Sequence, residues 1–178
     1  MARKSWKKVS TKYFGDIDLN LDYDPSLING WAGFNTIFRD QNVYIGISEY
    51  NLLKNKPYYC WEVIDKYMEI NDIAKDAIIK KYCEKHNVVN KYLKKIFRNT
   101  KFKNNIVKVF GTNDLKKLDI GTIIEKIDLP DLSLYIEDGI MIISIKYTFY
   151  EITQGKLFYL CVLMNKELEI INYEMDFE

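Results

Sequence analysis

The longest hydrophobic pattern in the chain runs from Tyr58 to Lys85. Trp61, Ile64, Tyr67, Met68, Ile70, Ile73, Ala74, Ala77, Ile78 and Tyr82 recur mostly at spacings of three and four. That is the stripe one face of an α-helix needs in order to bury against a core. Pro57 stands where a helix can start, and Asn71-Asp72 interrupts the stripe, so a kink or a break into two helices is expected there. His86-Asn87 reads as the end. A second helix is predicted over Val88–Asn99, with Val89, Tyr92, Leu93, Ile96 and Phe97 on one side.

On either side of this helical centre the period changes to two, the spacing of strands. Ile17, Leu19 and Leu21 alternate with acidic and amide residues in Gly15–Asp22. Tyr23–Gly30 is a turn-rich loop. Trp31–Phe38 and Val43–Ser48 flank Arg39-Asp40-Gln41-Asn42, a polar hairpin connection. After the helices, Phe102–Phe110 is ambiguous between strand, loop and helix. Asp114 is placed to cap a short helix through Leu118, and Gly121–Ile127 forms a further short turn of helix closed by Pro130. Leu132–Ile136 alternates, Glu137-Asp138-Gly139 is a hairpin turn, and Gln154-Gly155 and Asn165-Lys166 are further turns. Ile140–Phe149, over its first half, and Lys156–Met164 are apolar on both faces, the mark of central strands covered on two sides. Glu167–Tyr173 alternates again before an acidic tail, Glu174–Glu178. Strand runs separated by a helical run indicate an α+β fold. We expect antiparallel sheet structure from an N-terminal three-strand meander and a C-terminal four-strand meander, packed on the central helical segment. Whether the two groups join in one sheet stays open.

Length and composition fit this picture. The 178 residues suit a single domain over 13–178, which can bury roughly 70% of its unfolded surface. Residues 1–12 hold five basic residues and no acid and read as a flexible basic arm. That arm has no apolar stretch of the kind a secretory signal carries, and no run approaches the ~20 apolar residues of a membrane span. A cytoplasmic protein without membrane insertion is expected. Cys60 and Cys83, if they share one helix, lie about 34 Å apart at ~1.5 Å per residue, beyond any disulfide. All three cysteines read as reduced thiols. The abundance of Lys, Ile, Asn and Tyr suggests an AT-rich bacterial genome.

The net charge of +1 conceals a dipolar chain. Lys80–Lys108 holds ten basic residues and one acid, Glu84. Residues 13–79 hold five basic and eleven acidic residues, and residues 128–178 hold three and ten. Within the basic block, Lys80, Lys81, Lys85, Lys91, Lys94, Lys95 and Arg98 are the candidate partner-binding residues. Tyr82, Tyr92, Phe97 and Phe102 interleave with them. Basic and aromatic residues together suit nucleic acid. A lysine-rich wet face of an amphipathic helix has the same pattern, and the aromatics fall at core spacing, so the solvated face is preferred, then an acidic protein partner, then nucleic acid.

Catalytic and metal chemistry find little purchase. His86 is the single histidine, which leaves a Ser-His-Asp or Cys-His arrangement little to work with and gives a four-ligand zinc site too few donors. Asp16, Asp18, Asn20 and Asp22 begin like a calcium loop, but its sixth position is Leu21 rather than Gly and its twelfth is Leu27 rather than Glu. No phosphate-binding glycine loop or nucleophile elbow occurs. The expectation is a non-catalytic protein without cofactor or metal.

Three segments carry a resemblance. Tyr13-Phe14-Gly15-Asp16-Ile17-Asp18-Leu19, then Ile73-Ala74-Lys75-Asp76-Ala77-Ile78-Ile79-Lys80-Lys81-Tyr82, then the strand–turn–strand ending from Tyr147 to Asp176 resemble, in order and spacing over most of the chain, a bacterial family of unknown function. Some of its members are predicted immunity proteins of polymorphic toxin systems. Asn165-Lys166 stands where that family would have an acidic-Gly turn. The resemblance implies no catalytic residues. It implies a binding protein that neutralises a cognate toxin by covering its active surface. The alternatives are a nucleic-acid-associated protein using residues 80–108, or an uncharacterised enzyme.

Overall fold

The computed structural model describes residues 8–18, 31–48, 57–84, 87–154 and 158–177. Strands β1 (Lys8–Thr11) and β2 (Gly15–Asp18) form a small antiparallel sheet of their own. The remaining strands are β3 (Trp31–Phe38), β4 (Gln41–Ser48), β5 (Asp131–Glu137), β6 (Ile140–Thr148), β7 (Phe158–Met164) and β8 (Ile170–Phe177). They build one six-stranded sheet in the order β3-β4-β5-β6-β7-β8. Between β4 and β5 lie α1 (Pro57–Asp65), α2 (Tyr67–Tyr82), α3 (Val88–Arg98), α4 (Lys103–Phe110) and α5 (Ile120–Glu125). A short α6 (Tyr150–Thr153) follows β6. The fold is α+β, with its helices between the two strand groups.

Several expectations change in detail. Lys8–Thr11, assigned to a flexible arm, is a strand; residues 1–7 lie outside the described residues. The run beginning at Gly15 does not extend an N-terminal meander but pairs with β1. The β3–β4 hairpin instead joins the C-terminal meander through a parallel β4–β5 pair, Ile45 opposite Leu132 and Ile47 opposite Leu134. The sheet is therefore single and mixed. A parallel pair needs a long crossover, and the whole helical segment is that crossover.

The helix break falls at Lys66 rather than at Asn71-Asp72. Lys66 N–H bonds Val63 O at 3.0 Å, a tighter closure than an α-turn. Asn71 continues the helix and is buried because its side-chain oxygen accepts the Tyr147 hydroxyl at 2.9 Å. A polar residue in the stripe thus marks a hydrogen bond to the sheet. Asn87 is the N-cap of α3, accepting from Asn90 N–H at 2.7 Å, and His86 lies outside the described residues. Residues 103–110 resolve as helix, ended by Gly111 at φ 74°.

Tyrosines tie the helices to the sheet. The Tyr67 hydroxyl donates to Pro130 O at 2.6 Å, Tyr92 to Phe158 O at 3.2 Å, and Tyr173 to Ala77 O at 3.1 Å. Tyr67 and Tyr92 are buried and Tyr173 half-buried, each with its polar tip paired. Phe14, in the β1–β2 turn, packs edge-on against Tyr67 at 5.1 Å and Phe38 at 5.5 Å. Lys12 N–H donates to Asp65 Oδ1 at 2.7 Å. These contacts dock the small sheet onto α1, α2 and the edge of the large sheet.

The pairing registers separate the faces of the large sheet. Val43, Ile45, Ile47, Leu132, Leu134, Ile143, Ile145, Tyr147, Leu160, Val162 and Met164 share one face and are fully or almost fully buried. Each such side chain contributes roughly 1.5–3 kcal/mol. α3 packs on β7 and β8 from this side. The opposite face carries Tyr44, Ser133, Tyr135, Ile142, Ser144, Lys146, Tyr159, Cys161 and Leu163.

Candidate functional site

The second face of β6 and β7 is buried as well, as their two-sided apolar pattern predicts: Ile142, Cys161 and Leu163 are 5%, 6% and 4% exposed. Among the described residues, no apolar side chain of a helix packs against them. Ile142, Cys161 and Leu163 form a separate small apolar cluster there, shielded at its margin by the half-buried rings of Tyr135 and Tyr159. Towards the edges the face carries Ile140, 56% exposed in β6, and Ile37, 72% exposed in β3. Isolated exposed aliphatic residues are ordinary. What this face offers a partner is therefore its border: the half-buried rings of Tyr135 and Tyr159 and the exposed Ile140 and Ile37.

The rim of this face is acidic. Asp131, Glu137, Glu174 and Asp176 project from it, with Lys146 as its cation among the described residues. Lys146 Nζ lies 3.3 Å from Asp131 Oδ2 and 5.7 Å from the Tyr159 ring centroid. The Tyr159 hydroxyl meets Asp176 Oδ2 at 3.5 Å. Burial, with the Glu174 and Glu137 carboxylates, pushes the Tyr135 phenol up to about 12. Burial and Asp176 raise that of Tyr159 too. Both therefore present neutral hydroxyls. Burial also pushes the Cys161 thiol up to about 11 against a hydrogen bond with Ser144, so at neutral pH it is a packed thiol rather than a nucleophile.

At one end the face opens into a cleft of about 520 Å³. Asp40, Asp128, Asp131, Glu151, Lys146 and Tyr159 are among the residues lining it. Its backbone is braced by carboxylates: Asp131 Oδ1 accepts Tyr44 N–H at 2.9 Å and Asp128 Oδ2 accepts Tyr150 N–H. Burial raises the Asp128 carboxyl above the ordinary aspartate value. The cleft continues the negative charge of the face. Among the described residues no group of three or more His, Cys, Asp or Glu is arranged to hold a metal ion.

The basic block lies on the helical side. Lys91, Lys94, Lys95 and Arg98 all sit on the exposed side of α3, opposite buried Val89, Tyr92, Leu93, Ile96 and Phe97. Lys80 is exposed on α2. Lys81 pairs with Glu84 and lies 5.8 Å from the Tyr173 ring. Lys85 lies outside the described residues. Of the candidates, only Lys94 and Arg98 are brought together in a cavity, about 360 Å³ in volume, with Lys116. Lys116 was counted outside the block, and nothing in the local pattern links it to α3. The sheet face was missed because alternation shows only that both faces of a strand are apolar, not what covers them.

Neither a family model, nor a curated protein, nor a solved structure matches the chain.

Proposed function

We propose that this is a binding protein that docks a basic protein partner on the second, tyrosine- and acid-bordered face of its six-stranded sheet, and that it acts without catalysis. The observation that carries this reading is the second apolar face of β6 and β7. The chain places Ile142, Cys161 and Leu163 where no described helix packs, and surrounds them with Tyr135, Tyr159 and acids. A tyrosine offers large contact area at small entropic cost, and interface hot spots favour it. The rim of Asp131, Glu137, Glu174 and Asp176 selects a partner of opposite charge and speeds encounter. The acidic cleft beside Asp128 suits a cationic side chain presented by that partner.

The resemblance of the Tyr13–Leu19, Ile73–Tyr82 and Tyr147–Asp176 segments gives the partner a class, a protein toxin, and the acidic rim fits one whose active surface is basic. An immunity protein covers such a surface sterically and needs no cofactor. The test is co-purification with the C-terminal fragment of a toxin encoded beside this gene. A one-to-one complex that weakens as salt rises supports the reading. Failure to bind rejects the pairing, and a complex indifferent to Tyr135→Ala and Glu174→Lys rejects the surface.

A further inference from the structure

The helical side holds a cavity that the sheet-face reading does not use. It opens where the end of α2, the outer face of α3 and residues 113–116 meet, and has a volume of about 360 Å³, within the range of small-molecule sites. Asn90, Lys94 and Arg98 line it from successive turns of α3, at the spacing that places side chains in one row. Lys116 enters from the 3₁₀ turn Leu115–Lys117, whose cap Asp114 holds Lys116 N–H on its carboxylate at 3.1 Å. Three cations thus face one cavity. Asp114 is the one carboxylate among its lining residues and is committed to the cap. Tyr82, Phe97 and Leu115 supply the apolar part of the wall.

Two features define the ligand. Lys94, Arg98 and Lys116 have no ion-pair partner among the described residues, and a planar guanidinium beside two ammonium groups is the donor set that grips a phosphate. A phosphate alone fills only part of the cavity, leaving the wall of Tyr82 and Leu115 for a planar apolar body.

We propose that this cavity is a site for a nucleoside monophosphate. The phosphate lies among Lys94, Arg98 and Lys116, and the base lies against Tyr82 and Leu115.

The test is calorimetric titration of the full-length protein with each of the four ribonucleoside 5′-monophosphates, with the parent nucleosides and inorganic phosphate as separate arms. At least one monophosphate is expected to bind with a millimolar or tighter Kd, at least tenfold tighter than its nucleoside or inorganic phosphate. The double variant Lys94→Ala/Arg98→Ala removes only exposed side chains and should weaken binding at least tenfold with an unchanged circular dichroism spectrum. Absence of binding by all four monophosphates overturns the proposal, as does equal binding by the double variant or binding of inorganic phosphate as tight as any nucleotide. Loss of the sheet-face partner leaves this result untouched, because Tyr135→Ala and Lys94→Ala act on separate faces.

Discussion

At the scale of single residues, side chains that look out of place in the sequence are accounted for by partners. Asn71 is the clearest case: an amide in an apolar stripe, 1% exposed, whose oxygen accepts the Tyr147 hydroxyl. Tyr147→Phe keeps the ring and strands that buried amide. It should lower stability by about 1–3 kcal/mol, read as a fall in the urea midpoint at unchanged slope. Tyr150→Phe, at a ring 65% exposed, should cost nothing. Equal midpoints for the wild type and Tyr147→Phe would show that the pair does not hold α2 to the sheet. The thiols divide in the same way. Burial pushes Cys60 up to about 12 and Cys161 up to about 11, while Cys83 is exposed. A disulfide-exchange reagent at pH 8 should therefore label one thiol quickly in the native protein and all three after denaturation. Rapid labelling of two or three native thiols would contradict the packing. The sequence showed Asn71 as an interruption but not its cause, because Tyr147 lies 76 residues away.

Among the elements, period and punctuation located most helices and strands, and long-range pairing decided the rest. The α3 stripe, the Asp114 cap and the Asp138-Gly139 turn were legible because each depends on residues within a few positions. The pairing of Lys8–Thr11 with β2, the parallel β4–β5 contact and the helical state of Lys103–Phe110 depend on distant neighbours, which local pattern does not encode. One turn is visibly unoptimised. The β3–β4 hairpin closes on Arg39 and Asp40 alone, at φ 51° and 62°, where a two-residue connection prefers Asn-Gly. Left-handed backbone costs an ordinary residue about 1–2 kcal/mol. Asp40→Gly should raise the melting temperature, by a gain of roughly 0.5–1 kcal/mol after the added freedom of the unfolded chain is discounted. A lower melting temperature would mean that the Asp40 side chain stabilises the turn by more than its backbone strain.

For the whole molecule, the governing feature is an asymmetric sheet. One face is filled by helices that its tyrosines bind through carbonyl oxygens. The other is apolar at its centre, aromatic at its margins and acidic at its rim. The charge separation seen along the chain becomes a separation in space, with the lysines of α3 on the helical side and the carboxylates on the second face of the sheet. The first was legible as a run of basic residues. The second was not, because Asp131 and Glu137 lie on β5 and Glu174 and Asp176 on β8, two strands that only the fold brings into one sheet.

The measurement closest to the central claim is the affinity of the protein for a toxin fragment encoded beside its gene, compared between the wild type and Tyr135→Ala/Tyr159→Ala. A hot-spot pair contributes about 2 kcal/mol or more per residue. The account predicts tight binding by the wild type and a loss of at least a hundredfold in the variant at a temperature where its circular dichroism spectrum is that of the wild type, and no effect of Lys94→Ala/Arg98→Ala. Binding that survives the tyrosine substitutions but is lost with the α3 pair would place the partner on the helices and contradict the account.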